Sequence, residues 1–471
     1  MRRTKIVCTI GPATESKSKI NMLIRHGMNI ARLNFSHGSY SWFTKTIKTI
    51  RSEAAKLEKP VAILQDLCGP KIRLGNHPQG GINLKPGDDL IIAHNPNKEL
   101  SEKNNLFPCT IDLSKFLHKG QVILLDDGKI QIEVSVVNKT KQYVKFSSLS
   151  TYFLKSHKGI NLPNISLDIP SLTTKDIKDI IFGTDYQPEY IALSFVKNAQ
   201  DIDKLKKILN KHKIQSQIIA KIETPQSLQN IDQIIAASDG IMVARGDLGL
   251  ETPIEQLPLV QKHIIRKCLI AHKPVIVATQ MLASMTSNPI PTRAEATDVA
   301  NAVFDHSSAV MLSEESAVGN FPIKAVHTMA KICQTTDEHL YTNQNGFINL
   351  SANKNQIQSL AYSACNLAID TNVKFIIVPS FSGQTAQIIS SYRPPTPIIA
   401  ATFDQATYQR LTLEWGITPI LINSKKPDEL IVHCLNRLTK SRLLKKGDRV
   451  LIVTGSNLTA HTADQLLIKT I

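Results

Sequence analysis

Short apolar runs recur along the chain at intervals that suit strands alternating with helices. Three open it: KIVCTI (5–10), MNIARLNFSHG (28–38) and VAILQDL (61–67), with helical stretches over about 16–26 and up to about Leu57 between them. In the second run the period of two is clean. Arg32, Asn34 and Ser36 share one face, while Ala31, Leu33 and Phe35 share the other. A parallel strand is normally apolar on both faces, so a polar stripe ending at His37 predicts the wall of a site.

The rhythm changes at Gly69-Pro70. From there to about Asp168 the runs are short and β-rich, punctuated by turns at Pro86-Gly87, Lys119-Gly120 and Asp127-Gly128. This pattern predicts a small β domain inserted between a strand and its helix. Alternation then resumes with YIALSFV (190–196), SQIIAKI (216–222), GIMVA (240–244), PVIVATQM (274–281) and SAVMLSE (308–314). Thr292 and Glu295, three apart after a proline, form a capping box that opens one of the helices. Together with the first three runs this makes eight βα units. Eight in succession predict a (β/α)8 TIM barrel with its site at the C-terminal ends of the strands. Beyond about Tyr341 a third region reads helix (356–371), strand (375–380), helix (384–392), strand (397–402), helix, strand (419–423), helix (427–444) and strand (450–455), a C-terminal open α/β domain. The expected domains are therefore 1–69 with 169–340 as the barrel, 70–168 as the insert and 341–471 as the C-terminal unit.

Composition narrows the class. Hydrophobic content of 42% and charged content of 20% are those of a soluble globular enzyme, and no window reaches the roughly 20 apolar residues of a membrane span. The net charge of +16 attracts anions, leaving nucleic acid, anionic lipid and phosphorylated metabolites open. The basic residues are dispersed rather than blocked, and aromatics at 5% are few, which argues against nucleic acid. Seven scattered cysteines without a C-x-x-C pair fit a reducing compartment, and the apolar run after Met1-Arg2-Arg3 is too short for a secretion signal, so a cytoplasmic protein is expected.

The candidate chemistry concentrates between Gln217 and Gly249. Two apolar runs there end in charge, the first in Lys221 and Glu223 and the second in Arg245 and Asp247. In an extended strand Lys221 and Glu223 point the same way, with Ile222 opposite. A lysine and two carboxylates at neighbouring strand ends suit a hard cation and a phosphate.

Nine motifs in order then carry a resemblance: TIGPAT (9–14), ARLNFSHG (31–38), GPKIR (69–73), KGINLP (158–163), AKIE (220–223), MVARGDLG (242–249), ATQML (278–282), PTRAEATDVANAV (291–303) and MLSEESAVG (311–319). Over essentially its full length the chain resembles the pyruvate kinase family. The resemblance implies phosphoryl transfer from phosphoenolpyruvate to ADP, giving pyruvate and ATP. Residue by residue, it implies Glu223 and Asp247 as ligands of Mg2+ (or Mn2+), with Lys221, Arg32 and Thr279 as catalytic groups. Arg32, Lys221, Gly246, Asp247 and Thr279 would hold the substrate, Arg32 through its phosphate and the backbone amides of Gly246 and Asp247 through its carboxylate. Asn34, Phe35, Ser36, His37, Arg73 and Lys158 match the nucleotide side, and the inserted domain a lid that closes over ADP.

Asn34, Ser36, Asp66 and Leu67 match the family's monovalent-cation region. Here Lys71 stands where many relatives carry a glutamate and require K+, so its ammonium is expected to replace that ion. Ser380, Ser382, Gly383, Gln384 and Thr385 match an effector-phosphate loop, which implies a phosphorylated allosteric effector. The final loop, 455–462, lacks the Trp and Arg of fructose-bisphosphate-activated relatives, and Glu314 replaces a glycine usual in its motif. A homotetramer is the family precedent. Two other readings are a lyase or aldolase of the phosphoenolpyruvate barrels, against which the insert argues, and a basic nucleic-acid binder, supported by charge alone.

Overall fold

The structure, a computed structural model, describes residues 2–163, 165, 169–343, 348, 350, 355–455 and 463–471. Eight parallel strands close into a barrel: Lys5–Thr9, Ile30–Asn34, Ala62–Asp66, Tyr190–Leu193, Gln217–Ile222, Gly240–Ala244, Val275–Ala278 and Ala309–Leu312. Each strand is two-faced. Ile6, Cys8, Ala31, Ile63, Ile191, Ile218, Ile241, Val277 and Val310 point outward into the shell that packs on the helices. Their alternates Val7, Ile30, Leu64, Ala192, Ile219, Met242, Ile276 and Met311 form a separate interior cluster. The period-two rule thus operates with both faces apolar, as a helix-wrapped barrel requires. The helix Arg293–Phe304 opens with the expected box of Thr292 and Glu295.

Between the third strand and the next helix, the inserted residues build a six-stranded sheet and a two-stranded ribbon of Gly81–Leu84 with Tyr152–Lys155. Both share one core that includes Leu84, Leu90, Phe107, Val134, Phe146 and Leu154. The two connecting segments pair with each other. Leu74 N–H donates to Lys158 O at 2.9 Å and Ile160 N–H to Ile72 O at 3.0 Å, so the insert joins the barrel through a two-stranded hinge.

The C-terminal sheet has the order Ile417–Leu421, Ile398–Thr402, Phe375–Pro379, Arg449–Thr454 and Gln465–Thr470, with apolar cores on both faces. Its last strand is antiparallel and lies at the edge; the sequence pattern did not reveal it. The helix Pro322–Asn343 runs through position 340, where the pattern placed a boundary. The C-terminal region closes the floor of the barrel. Leu413 joins the interior cluster, Lys5 Nζ donates to Ile417 O at 2.6 Å, and Tyr190 Oη donates to Arg410 O at 2.7 Å. With the floor covered, the barrel's C-terminal strand ends lie at the opposite rim.

Candidate active site

At that rim the strand ends deliver an ion network. Arg32 donates from Nε to Asp66 Oδ2 at 2.6 Å and from Nη1 to Thr9 Oγ1 at 2.8 Å. Lys221 Nζ lies 3.0 Å from Glu223 Oε1 and 3.3 Å from Asp66 Oδ1, and donates to Ser194 Oγ at 2.8 Å. The hydroxyl of Ser194 in turn donates to Leu67 O at 2.7 Å, and the Phe195 N–H donates to Glu223 Oε2 at 2.7 Å. Asp66 and Glu223 are each 1% exposed, so the charges interact in a poorly solvated site. Asp66 Oδ1 accepts no hydrogen bond and meets Lys221 as an ion pair only.

The electrostatics follow from this packing. Burial works to raise the Asp66 carboxyl, but Lys221 and Arg32 outweigh it and hold it below the usual range. Burial also works against the Lys221 ammonium, and Asp66 with Glu223 more than compensates, so it stays charged. Glu223 is pushed up, by burial first and by the Asp247 charge as well, against the pull of Lys221. Glu251 is pushed up to about 8 by burial, with Asp247 and Glu223 adding to it. A cation beside Glu223 and Glu251 would relieve the like charge that helps raise them. Among the described residues no three His, Cys, Asp or Glu side chains converge as a cage. Mg2+ is held by one or two carboxylates, with substrate phosphate and water completing its shell. Glu223 and Asp247 fit that requirement.

Asp247 lies in the first turn of a short helix, Arg245–Glu251, that follows directly on the strand Gly240–Ala244. The Gly246 N–H donates to Thr279 Oγ1 at 2.7 Å, and that hydroxyl donates to Ala278 O at 2.6 Å. The atoms nearest a Cβ at Gly246 would be those of Thr279, at an ordinary 3.6 Å. The glycine is therefore not demanded by the local backbone; what it leaves open is space toward Thr279. Thr279 itself has φ +70°, followed by Gln280 at +54°. A β-branched residue there is a genuine outlier, costing on the order of 1–3 kcal/mol.

The nucleotide-side residues surround this core unequally. Asn34 accepts from the Ser36 N–H at 3.1 Å, and Arg73 donates to His157 O at 3.2 Å. Burial, with Arg73 and Arg32 nearby, lowers the His37 pKa, so the imidazole is held neutral. The ring of Phe35 is 1% exposed and stacks on Phe43 at 3.9 Å as part of the core. In the insert, Lys158 pairs with Asp126 at 2.7 Å within a left-handed turn at Asp126, Asp127 and Gly128. That turn reaches over the short helix, where a Cβ on Gly128 would come within 2.8 Å of Leu250.

Lys71 also sits apart from its expected neighbours. Its Nζ lies 3.2 Å from Asp247 Oδ1 and 3.9 Å from Asp127 Oδ1, and it makes no ion pair with Asp66. A cavity of about 370 Å³ opens beside it at the hinge, lined by Pro70, Ile72, Ile160, Phe195, Pro225 and Glu251 among others. In the C-terminal loop, Ser380 is buried and accepts from the Gly383 N–H at 2.9 Å, while Ser382 and Gln384 are exposed and Thr385 is half-buried. The final-loop residues 456–462 lie outside the described residues. Glu314 is exposed at the start of its helix, where the larger side chain meets solvent.

Three participants escaped sequence reasoning. Thr9 and Ser194 share the inward faces of Val7 and Ala192, so a polar residue in phase with the interior set would have marked them. Glu251 gave no such signal, because its approach to Asp247 and Glu223 depends on how the short helix turns.

The chain is similar to known proteins over nearly its whole length. The family model described as pyruvate kinase, barrel domain, matches residues 1–326, and that described as pyruvate kinase, alpha/beta domain, matches 358–469. The chain is 42% identical over 464 residues to a pyruvate kinase of Bacillus licheniformis, covering 97% of this chain and 78% of the relative. It is 43% identical over 460 residues to that of Geobacillus stearothermophilus, covering 96% and 78%. A crystal structure of a pyruvate kinase from Cryptosporidium parvum superposes with a TM-score of 0.90 at 35% identity, covering 100% of this chain and 96% of that one.

Proposed function

The chain belongs to the pyruvate kinase family, and we propose that the charged rim of its barrel carries out the family reaction through the residues named above. The reaction moves the phosphoryl group of phosphoenolpyruvate to ADP, giving pyruvate and ATP at the last step of glycolysis. The P–O bond to the enol oxygen breaks, a P–O bond to the terminal phosphate oxygen of ADP forms, and the enolate left behind takes a proton at carbon. Such a transfer needs positioning and charge neutralisation more than covalent catalysis.

The observation that carries this assignment is the Lys221 ammonium, held charged among Glu223, Asp66 and Ser194 at the strand ends. In that poorly solvated place it neutralises the transferring group and the developing enolate. Arg32, fixed by Asp66 and Thr9, presents its remaining donors to the phosphate. The amides of Gly246 and Asp247 receive the substrate carboxylate, for which the Gly246 N–H exchanges its bond to Thr279. Thr279 then holds its hydroxyl toward the enolate carbon and helps deliver the proton. Glu223 and Asp247 would hold Mg2+ or Mn2+, which supplies neutralisation of carboxylate and phosphoryl oxygens when bound. Asn34, Ser36, His37, Arg73 and Lys158 line the nucleotide side, and closure of the insert excludes water.

Lys71 supplies a fixed positive charge in place of K+. The loop 380–385 takes the phosphate of an allosteric effector. The protein is a homotetramer, the family precedent, and cytoplasmic, a reading that the seven free cysteines support; among the described residues no helix is long and apolar enough to cross a membrane. A coupled assay for ATP formed from phosphoenolpyruvate and ADP tests the whole assignment. Activity should appear in the wild type and be lost in Lys221→Met; an unaffected Lys221→Met enzyme would overturn the central role.

A further inference from the structure

The guanidinium of Arg245 ties together two parts of the rim that the reaction must keep in register. Its two Nη atoms fork onto Asp298, at 2.7 Å to each carboxylate oxygen. From the same fork Nη2 donates to the Thr279 carbonyl at 2.8 Å and approaches Met281 Sδ at 2.8 Å, while Nη1 reaches Gln261 Oε1 at 3.4 Å. Next along the chain, the Gly246 N–H bonds Thr279 Oγ1. Residues 245 and 246 therefore hold both the carbonyl and the hydroxyl of Thr279.

The held residue is the one with the left-handed backbone, Thr279 at φ +70° followed by Gln280 at +54°. Such a conformation persists only where the surroundings over-determine it. The rest of the loop is also anchored, with Glu315 accepting from the Leu282 N–H at 3.1 Å and Glu295 from the Ser284 N–H at 2.7 Å. Those anchors act three and five residues downstream. At Thr279 itself the side-chain clamp is Arg245, oriented in turn by Asp298 from the helix Arg293–Phe304.

We propose that Arg245 is a positioning residue for the reaction: with Asp298 it holds the Thr279 carbonyl, fixes the strained turn, and so keeps the Thr279 hydroxyl in register with the Gly246–Asp247 start of the short helix. The proposal rests on the reading of Thr279 as a substrate-side group. A planar fork is needed because one side chain must serve a carboxylate and a carbonyl at once. Lysine, with a single ammonium, reaches one partner well and not both.

The test is a double-mutant cycle on the intact enzyme, with kcat and KM measured for both substrates. Arg245→Gln should lower kcat by about 10- to 100-fold, the scale of a misplacement near 1 Å, and leave KM for ADP within about twofold. Thr279→Ala should fall at least as far. Arg245→Gln combined with Thr279→Ala should be no slower than Thr279→Ala alone, because the clamp has nothing left to position. Arg245→Lys should recover part of the loss. Asp298→Asn, which loosens the fork from a more exposed site, should reproduce a milder form of the defect and keeps the idea testable if Arg245→Gln does not fold. Multiplying defects in the double mutant, with Thr279→Ala impaired, would overturn the positioning role and leave the site assignment standing. A Thr279→Ala enzyme with unchanged kcat and KM would overturn both.

Discussion

The Lys71 ammonium bridges two carboxylates from different parts of the chain, at 3.2 Å to Asp247 on the barrel and 3.9 Å to Asp127 on the insert. The ammonium lies within reach of the site, and it makes no ion pair with Asp66 of the expected monovalent-cation region. If a fixed charge replaces K+, initial rates in a buffer free of K+ and Na+ should match those with K+ added. Lys71→Glu, which inverts the charge, should be slow and stimulated by K+. Full dependence of the wild type on added K+ would remove Lys71 from that role.

Removing either carboxylate of the proposed metal pair should be severe. Glu223→Gln and Asp247→Asn should each reduce kcat by about 10²–10³-fold, the scale set by loss of one preorganised electrostatic group in a dry site. Raising Mg2+ should not restore the rate to that of the wild type. Unaltered rates and Mg2+ titration in either variant would place the metal elsewhere.

On the insert, Asp126 is 6% exposed at its side chain and Lys158 33%, and the two meet at 2.7 Å. Lys158 holds the Asp126 carboxylate below the usual range against burial. Lys158→Ala leaves that carboxylate to the Tyr152 hydroxyl at 3.2 Å and Lys129 at 3.8 Å, and removes a charge from the proposed nucleotide side. KM for ADP should rise several-fold, while KM for phosphoenolpyruvate should stay near the wild-type value. Equal shifts in both would argue for a general folding defect, which a melting curve would register.

Stability should carry a histidine signature far from the rim. Burial, and then the nearby Arg393, push His306 down to about 4 from an ordinary value near 6.5. Its Nδ1 faces the Tyr341 hydroxyl at 3.4 Å, and its carbonyl accepts from Arg393. The folded state therefore disfavours the proton. The penalty is absent above about pH 6.5, grows as pH falls, and is complete below about 4, reaching on the order of 3 kcal/mol. His306→Asn tolerates the residue's φ of +67° and cannot titrate. Its melting temperature should fall less than that of the wild type between pH 6.5 and 4.5. Parallel curves would show that His306 does not titrate as its burial dictates.

Much of the fold was legible because strand parity is a local property. The alternation in KIVCTI and SQIIAKI marks an inner and an outer face before any partner is known, and the structure realises both faces. Arg32, Lys221 and Glu223 stood out for the same reason, as charge in phase with a buried face. The closing strand Gln465–Thr470 was illegible because it is an edge strand with a solvated face, where hydrophobic pattern is weak. Phe35 is core, as its place on the apolar face with Ala31 and Leu33 indicated.

By itself, the sequence determined the eight-strand barrel, the inserted sheet, the C-terminal α/β unit and the charges at the strand ends, since each is written in short-range periodicity and motif spacing. Only the tertiary structure decided which charges meet. The Lys71–Asp247 bridge spans 176 positions, Arg393 reaches the His306 carbonyl across 87, and Leu413 seals a barrel whose first strand begins at Lys5. The left-handed turn at Thr279, held by Arg245 and Gly246, belongs to the same class. No local preference of a threonine leads there; packing from the short helix Arg245–Glu251 and the helix Arg293–Phe304 imposes it.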